Sequence, residues 1–222
     1  MTVAAIVPAA GRGIRLGGGV PKAFRPLAGV PLLARSVALL APYVDRIVVA
    51  VPAEFGPQAR TILAAVAIPV TVVAGGASRQ ESVAACLRAL PDEVDVVLVH
   101  DAARPLMPGS VVVAVLAALR AGAGAAVPVL PVPDTLKAVT DGVVTGTVDR
   151  GTMVAVQTPQ GFHRDVLARA HAPGGLVAAT DDAGLVEALG VAVTTVPGHP
   201  AGFKITTAWD VDTAEALLAA GR

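Results

Sequence analysis

A chain of 222 residues with 17 basic and 17 acidic side chains is sized for one large α/β domain and carries no basic run of the kind a nucleic-acid surface needs. Just over half of it is hydrophobic (54%) but only 3% is aromatic; Ala and Val supply most of the apolar surface, which favours helices packed closely on Val-rich strands. A single cysteine, Cys86, excludes an intrachain disulfide framework and suits a reducing cytoplasm.

The mean hydropathy is positive, +0.68, yet the longest apolar run, residues 105–119, contains prolines and falls short of the ~20 residues a membrane span requires. Residues 2–8 are too short and too uncharged at their start for a signal peptide. The expectation is a soluble, cytoplasmic protein.

In chain order, apolar runs without polar alternation at 3–7, 46–51, 70–73, 96–99 and 125–129 predict strands covered on both faces. Between them, 31–40, 58–66, 81–90 and 110–120 have helical spacing, and Pro31 suits a first helical turn. Repeated strand–helix–strand units imply an α/β fold with a mainly parallel, Rossmann-like sheet and right-handed crossovers. After Pro133 the pattern changes. Residues 135–140 and 143–149 flank Asp141-Gly142, a signal for a type I′ hairpin. The hairpin is either a protruding arm or an antiparallel edge pair inside the domain; the arm, spanning 133–151, is the preferred reading. A strand at 153–157, helices at 164–170 and 182–189, a strand at 191–196 and a helix from Ala208 complete a single domain over 1–222.

The first chemical signal is the loop after the first strand, Pro8-Ala9-Ala10-Gly11-Arg12-Gly13-Ile14-Arg15-Leu16-Gly17-Gly18-Gly19-Val20-Pro21-Lys22. It leaves the carboxyl edge of the sheet, where open α/β sheets bind ligands. Glycines let backbone amides approach phosphate oxygens, and Arg12, Arg15 and Lys22 add three cations, which suggests a polyphosphate. No Gly-Lys-Ser/Thr opens a helix, so this is not a Walker A loop. Leu16 stands where a dinucleotide fingerprint has its third glycine. Taken alone, such a loop can also be a flexible turn with solvated basic residues.

Asp101 follows the Val-rich run 96–99 and therefore falls at the same edge. It could accept a substrate hydroxyl or help orient a metal, and Arg104 could pair with it or contact substrate; a structural Asp–Arg pair is the plainer alternative. His100 reads as a packing or hydrogen-bonding residue. Ser82 could simply open a helix, and Thr180 could cap the one that follows Asp181-Asp182. The cap is the slightly preferred role for Thr180. No His/Cys cluster suggests zinc.

Pro-Ala-Ala-Gly-x-Gly-x-Arg followed by Pro21-Lys22 resembles the signature of the 2-C-methyl-D-erythritol 4-phosphate cytidylyltransferases of the non-mevalonate isoprenoid pathway. Four further stretches match that family in order: Gly75-Gly76 through Arg79 to Ser82, His100-Asp101-Ala102-Ala103-Arg104-Pro105, Thr147-Val148-Asp149-Arg150 and Phe203-Lys204-Ile205-Thr206. The likeness runs over essentially the whole chain. It implies a nucleotidyltransferase in which the acceptor's phosphate attacks the α-phosphorus of CTP and pyrophosphate leaves. By the same resemblance, Ala9, Ala10, Gly11 and Gly13 hold the nucleotide, Arg15 and Lys22 stabilise the transition state, and Mg²⁺ bridges CTP phosphates with Asp101 as a possible additional ligand. Gly75, Gly76 and Ser82 recognise cytosine and ribose; Asp101, Arg104, Thr180 and Lys204 position the polyol phosphate. Thr135 and Arg150, at the base of the arm, reach a neighbouring subunit's site in a homodimer. Two positions depart from the family pattern: Ala77 where many relatives carry Asp, and Phe203 where many carry Asn. The nearest rival is the same chemistry on ribitol 5-phosphate; a dinucleotide-dependent reductase is a more distant one.

Overall fold

Strand β1 (Val3–Pro8) explains the architecture in miniature. Val3, Ala5 and Val7 point into one apolar core and Ala4 and Ile6 into another, so the strand is covered on both sides and needs no polar residue. Each fully buried Val or Ile contributes about 1.5–3 kcal/mol of transfer free energy. The computed structural model describes residues 1–11, 19–172 and 179–221.

After the short strands β2 (Pro26–Leu27) and β3 (Val30–Pro31) come α1 (Leu32–Leu40), β4 (Arg46–Val51), α2 (Gly56–Leu63), β5 (Val70–Ala74), α3 (Arg79–Arg88), β6 (Val96–Val99), α4 (Gly109–Arg120) and β7 (Ala125–Pro131). Then follow β8 (Leu136–Thr140), β9 (Val143–Val148), β10 (Val154–Val156), β11 (Gln160–His163), α5 (Arg164–Ala170), α6 (Asp182–Glu187), β12 (Val193–Pro197) and α7 (Ala208–Ala219). The main sheet runs β10-β7-β11-β6-β1-β4-β5, with β12 also paired to β7. The cores on its two faces draw on α1, α2 and α4 on one side and on α3, α5 and α6 on the other.

β6, β1, β4 and β5 are mutually parallel, as is the β7–β12 pair. The sheet is nevertheless mixed, because β11 inserts antiparallel between β6 and β7 and β10 pairs antiparallel with the far end of β7. β11 was not expected from the sequence. Helix boundaries also move: α2 and α3 each begin two residues before the expected start, and α3 is capped by Ser78, whose hydroxyl accepts the Glu81 amide. Pro31 does not open α1 from within; it is the residue before the helix and pairs in β3 with Pro26 of β2.

The hairpin β8–β9 forms its own two-stranded sheet. Asp141 and Gly142 both have positive φ, 50° and 80°, and Thr140 pairs with Val143, so two residues close the turn in the left-handed conformation that a type I′ hairpin demands.

Candidate active site

Three parallel strands end at one edge of the sheet, and their continuations build the site. The Ala9 amide donates to the Ala50 carbonyl (2.7 Å), that of Gly75 to Val51 (2.8 Å) and that of His100 to Ile6 (2.9 Å). The ladder thus extends one step past β1, β5 and β6 and brings the start of the glycine-rich loop, the Gly75-Gly76 turn and Asp101 side by side. A fourth segment arrives from the C-terminal side: the Ile205 amide donates to the Ala103 carbonyl (2.9 Å), which sets Lys204 against Asp101.

A cavity of about 230 Å³ opens there, lined by Ala9, Ala10, Gly11 and Lys22 on one side, by Gly76 and Ser82 on another, and floored by Asp101 and Lys204. Arg15 and Gly13 lie outside the described residues. Gly75 sits just behind the wall, where an added Cβ would come within 2.3 Å of the Ala10 methyl; the residue must be glycine for the two loops to touch. The Gly76 amide donates to Ser82 Oγ (3.2 Å), and that hydroxyl donates to the Ser78 carbonyl (2.9 Å). Ser82 therefore neither opens the helix nor stands free: it braces the loop. The Ala77 amide donates to Glu81 Oε2 (2.8 Å), so at the position that departs from the family pattern the backbone itself is held.

A second cavity of about 460 Å³ adjoins the first and is lined by Arg104, Gln157, Thr158, Thr180 and Asp181 among others. Arg79, Asp101 and Lys204 line both. Thr180 is exposed to this cavity but is not the cap of α6; Asp181 takes that place, accepting the Gly184 amide at 3.0 Å, because its carboxylate sits one residue nearer the helix. Thr135 and Arg150 are exposed and line neither cavity; Arg150 donates to the Pro133 carbonyl across the base of the hairpin.

The junction is an ionic cluster. Asp101 is 2.8 Å from Lys204 Nζ, 3.4 Å from Arg79 Nε and 3.9 Å from Arg104 Nε. Burial alone would raise the Asp101 pKa, but Arg79, Lys204 and Arg104 outweigh it and hold the carboxyl well below the usual range. The same burial lowers the Arg104 guanidinium, against the pull of Asp101. Arg104 also donates to the Gly202 carbonyl (2.8 Å), so it ties Asp101 to the C-terminal segment as well as lining the second cavity.

Behind Asp101, His100 is fully buried, and burial lowers its pKa to about 4, against the upward pull of Asp101. Thr158 Oγ1 accepts the Asp101 amide (3.0 Å) and so has its hydroxyl proton to give to His100 Nδ1 (3.0 Å), leaving Nε2–H to donate to the Arg104 carbonyl (3.2 Å). The imidazole is a neutral strut. Three residues of the site escaped the sequence reading. Arg79 stands inside the Gly75-to-Ser82 motif, where its spacing alone suggests no role. Asp182 lies in the Thr180-Asp181-Asp182 run, where it reads as one more helix-opening residue. Gln160 carried no signal at all.

A family model described as 2-C-methyl-D-erythritol 4-phosphate cytidylyltransferase matches residues 3–220. The chain is 55% identical over 220 residues to the protein of that name from Frankia casuarinae, covering 98% of this chain and 81% of that one. To the namesake from Saccharopolyspora erythraea it is 54% identical over 226 residues, covering 99% and 100%. The crystal structure of 2-C-methyl-D-erythritol 4-phosphate cytidylyltransferase from Thermus thermophilus is similar at a TM-score of 0.83 and 41% identity, over 99% of this chain and 100% of that one. On the strength of sequence and fold together, the chain belongs to the 2-C-methyl-D-erythritol 4-phosphate cytidylyltransferase family.

Proposed function

We propose that the chain joins CTP to 2-C-methyl-D-erythritol 4-phosphate, forming 4-CDP-2-C-methyl-D-erythritol and pyrophosphate. The observation that carries this reading is the meeting of two cavities on Arg79, Asp101 and Lys204. The cavity on the glycine-rich loop suits a nucleoside triphosphate; the other, with its arginine, hydroxyl and amide groups, suits a phosphorylated polyol. An oxygen of the acceptor phosphate forms a bond to the α-phosphorus of CTP as the bond to the pyrophosphate oxygen breaks. The attacking phosphate is already an anion at neutral pH, so no general base is needed, and the neutral His100 is not asked to act as one. The protein's work is to hold two anions together and to neutralise charge as it develops.

In this reading the backbone of Ala9, Ala10, Gly11 and Gly13 cradles the triphosphate, Arg15 and Lys22 face the α-phosphate, and Lys204 exchanges its pairing with Asp101 for the acceptor. Among the described residues no group of three His, Cys, Asp or Glu could hold a metal ion, and Asp101, the one carboxylate among those lining the first cavity, faces three cations. That donor set fits Mg²⁺ carried on the phosphates of CTP rather than in a protein cage. Bound there, the ion would offset phosphate charge.

A homodimer completes the proposal. The hairpin exposes Val139, Val143 and Val144, and the adjoining segment exposes Met153, Val154 and Val156. A lone two-stranded sheet is marginal in water, and a second copy covering this apolar patch would stabilise it. Thr135 and Arg150, which line neither of their own chain's two cavities, then serve the neighbour's. A cytoplasmic location belongs to the same reading: no helix of the described residues is long and apolar enough to cross a membrane, and Cys86 is a buried free thiol.

The test is pyrophosphate release across CTP, UTP, ATP and GTP, each with 2-C-methyl-D-erythritol 4-phosphate and with ribitol 5-phosphate. CTP with the methylerythritol phosphate should be fastest. Cytosine and uracil differ at the exocyclic 4-position, donor against acceptor, and an unpaired buried polar group costs ~1–3 kcal/mol, so UTP should be disfavoured by about one to two orders of magnitude. Faster turnover of ribitol 5-phosphate, or equal kcat/KM for CTP and UTP, would overturn the assignment.

A further inference from the structure

The junction contains more ionic machinery than the reaction above employs. Asp182, the first residue of α6, is fully buried and lines neither cavity. One carboxylate oxygen accepts from Arg79 Nη1 at 2.6 Å and the other lies 2.9 Å from His171 Nε2. His171 follows α5, and its side chain is 2% exposed. Its Nδ1 is buried with no hydrogen-bond partner among the described residues. A second buried carboxylate and a buried imidazole thus stand behind one arginine, the imidazole with one nitrogen unpartnered among the described residues. Apolar side chains of similar volume are often at least as stabilising at such places, so packing alone is a poor account of the arrangement.

Arg79 is what the arrangement holds. Two of its three nitrogens are pinned, Nη1 to Asp182 and Nε to Asp101. Its Nη2 has no partner among the described residues, and the residue lines both cavities. A guanidinium is a planar fork, so fixing two nitrogens fixes the direction of the third. We propose that Arg79 is a substrate-contacting cation set between nucleotide and acceptor, and that Asp182 and His171 are positioning residues that aim it. This rests on the reading of the two cavities given above. The class of group that Nη2 would meet is a phosphate oxygen at the point where the two substrates join, where negative charge concentrates as the new bond forms.

Interactions made in the transition state rather than with the resting substrates appear in kcat. In Arg79→Ala, kcat should fall about 100-fold, while the KM for CTP stays within threefold. Asp182→Asn and His171→Phe should show the same split with smaller losses, at least tenfold for Asp182→Asn. Guanidinium added at millimolar concentration should restore part of the Arg79→Ala rate in a saturable manner. Rates are normalised to folded protein by circular dichroism, and Arg79→Lys replaces any variant that does not fold, since lysine keeps the charge but cannot span both carboxylates. If kcat stays within threefold of wild type in Arg79→Ala and Arg79→Lys, or if Arg79→Ala loses rate that guanidinium does not restore, the proposal is overturned. An inert wild-type protein would instead refute the reading of the site on which it rests.

Discussion

His100 shows how a residue can brace a site without facing its cavities. Buried between Thr158 and the Arg104 carbonyl, it is held neutral with a pKa of about 4 instead of 6.5, because burial penalises the imidazolium more than Asp101 favours it. The unfolded chain takes up a proton near pH 6.5 that the folded protein refuses until about 4. This contribution to stability is therefore complete above pH 6.5 and is lost as pH falls towards 4. At 1.36 kcal/mol per pKa unit it amounts to ~3 kcal/mol. Urea denaturation of wild type and His100→Gln at pH 7 and pH 4.5 should show the stability gap between them shrinking on acidification. A gap of constant size would mean that the imidazole is not held neutral. Asp101, whose folded pKa is depressed, acts on a lower window: its contribution is intact above its unfolded value near 3.8 and drains only below it, so the two effects separate.

At the scale of elements, the loops after β1 and β5 are one device. The Gly75 Cβ position lies 2.3 Å from the Ala10 methyl and 3.0 Å from Ser82 Oγ, so Gly75→Ala must push the nucleotide loop and the α3 brace apart. Such overpacking typically costs ~1–3 kcal/mol. The expected result is a lowered Tm together with a KM for CTP raised at least tenfold and a smaller change in kcat. An unchanged KM would show that the contact does not shape the nucleotide site. These elements were legible in the sequence because parallel strands write themselves as unbroken apolar runs and their exits as glycine-rich punctuation, although β5, at the sheet's edge, is only half-buried rather than covered on both faces. β11 was not. Its Gln160-Gly161-Phe162-His163 has neither alternation nor a β-branched residue, and Gly161 is there because α4 packs so close that a Cβ would meet Val115 at 2.5 Å and Leu119 at 2.8 Å. Tertiary packing, not local propensity, makes it a strand. The same strand carries Gln160, which explains why that part of the second cavity was invisible. Asp181 in place of Thr180 as the α6 cap is a smaller miss of the same kind: three adjacent residues can cap, and only the backbone decides which one does.

At the scale of the whole molecule, the arm and the two cavities pose a question of stoichiometry. The hairpin was readable from Asp141-Gly142, and its positive φ values fit that turn, but no pattern in one chain says whose site its basal residues serve. Under the dimer proposal, Arg150→Ala damages the neighbour's site while Lys22→Ala damages its own. A mixed dimer then holds one doubly damaged site and one intact site. Random reassociation makes half the dimers mixed, so about a quarter of wild-type activity should return when the two inactive variants are refolded together, by counting under two-fold symmetry. If Arg150 serves its own subunit, every site in the mixture lacks one cation and nothing returns. Light scattering establishes first that dimers form, and differently tagged variants recovered together establish that mixed dimers are present. With both controls met, activity no higher than the average of the two parents would refute the shared site while leaving the cytidylyl transfer itself untouched.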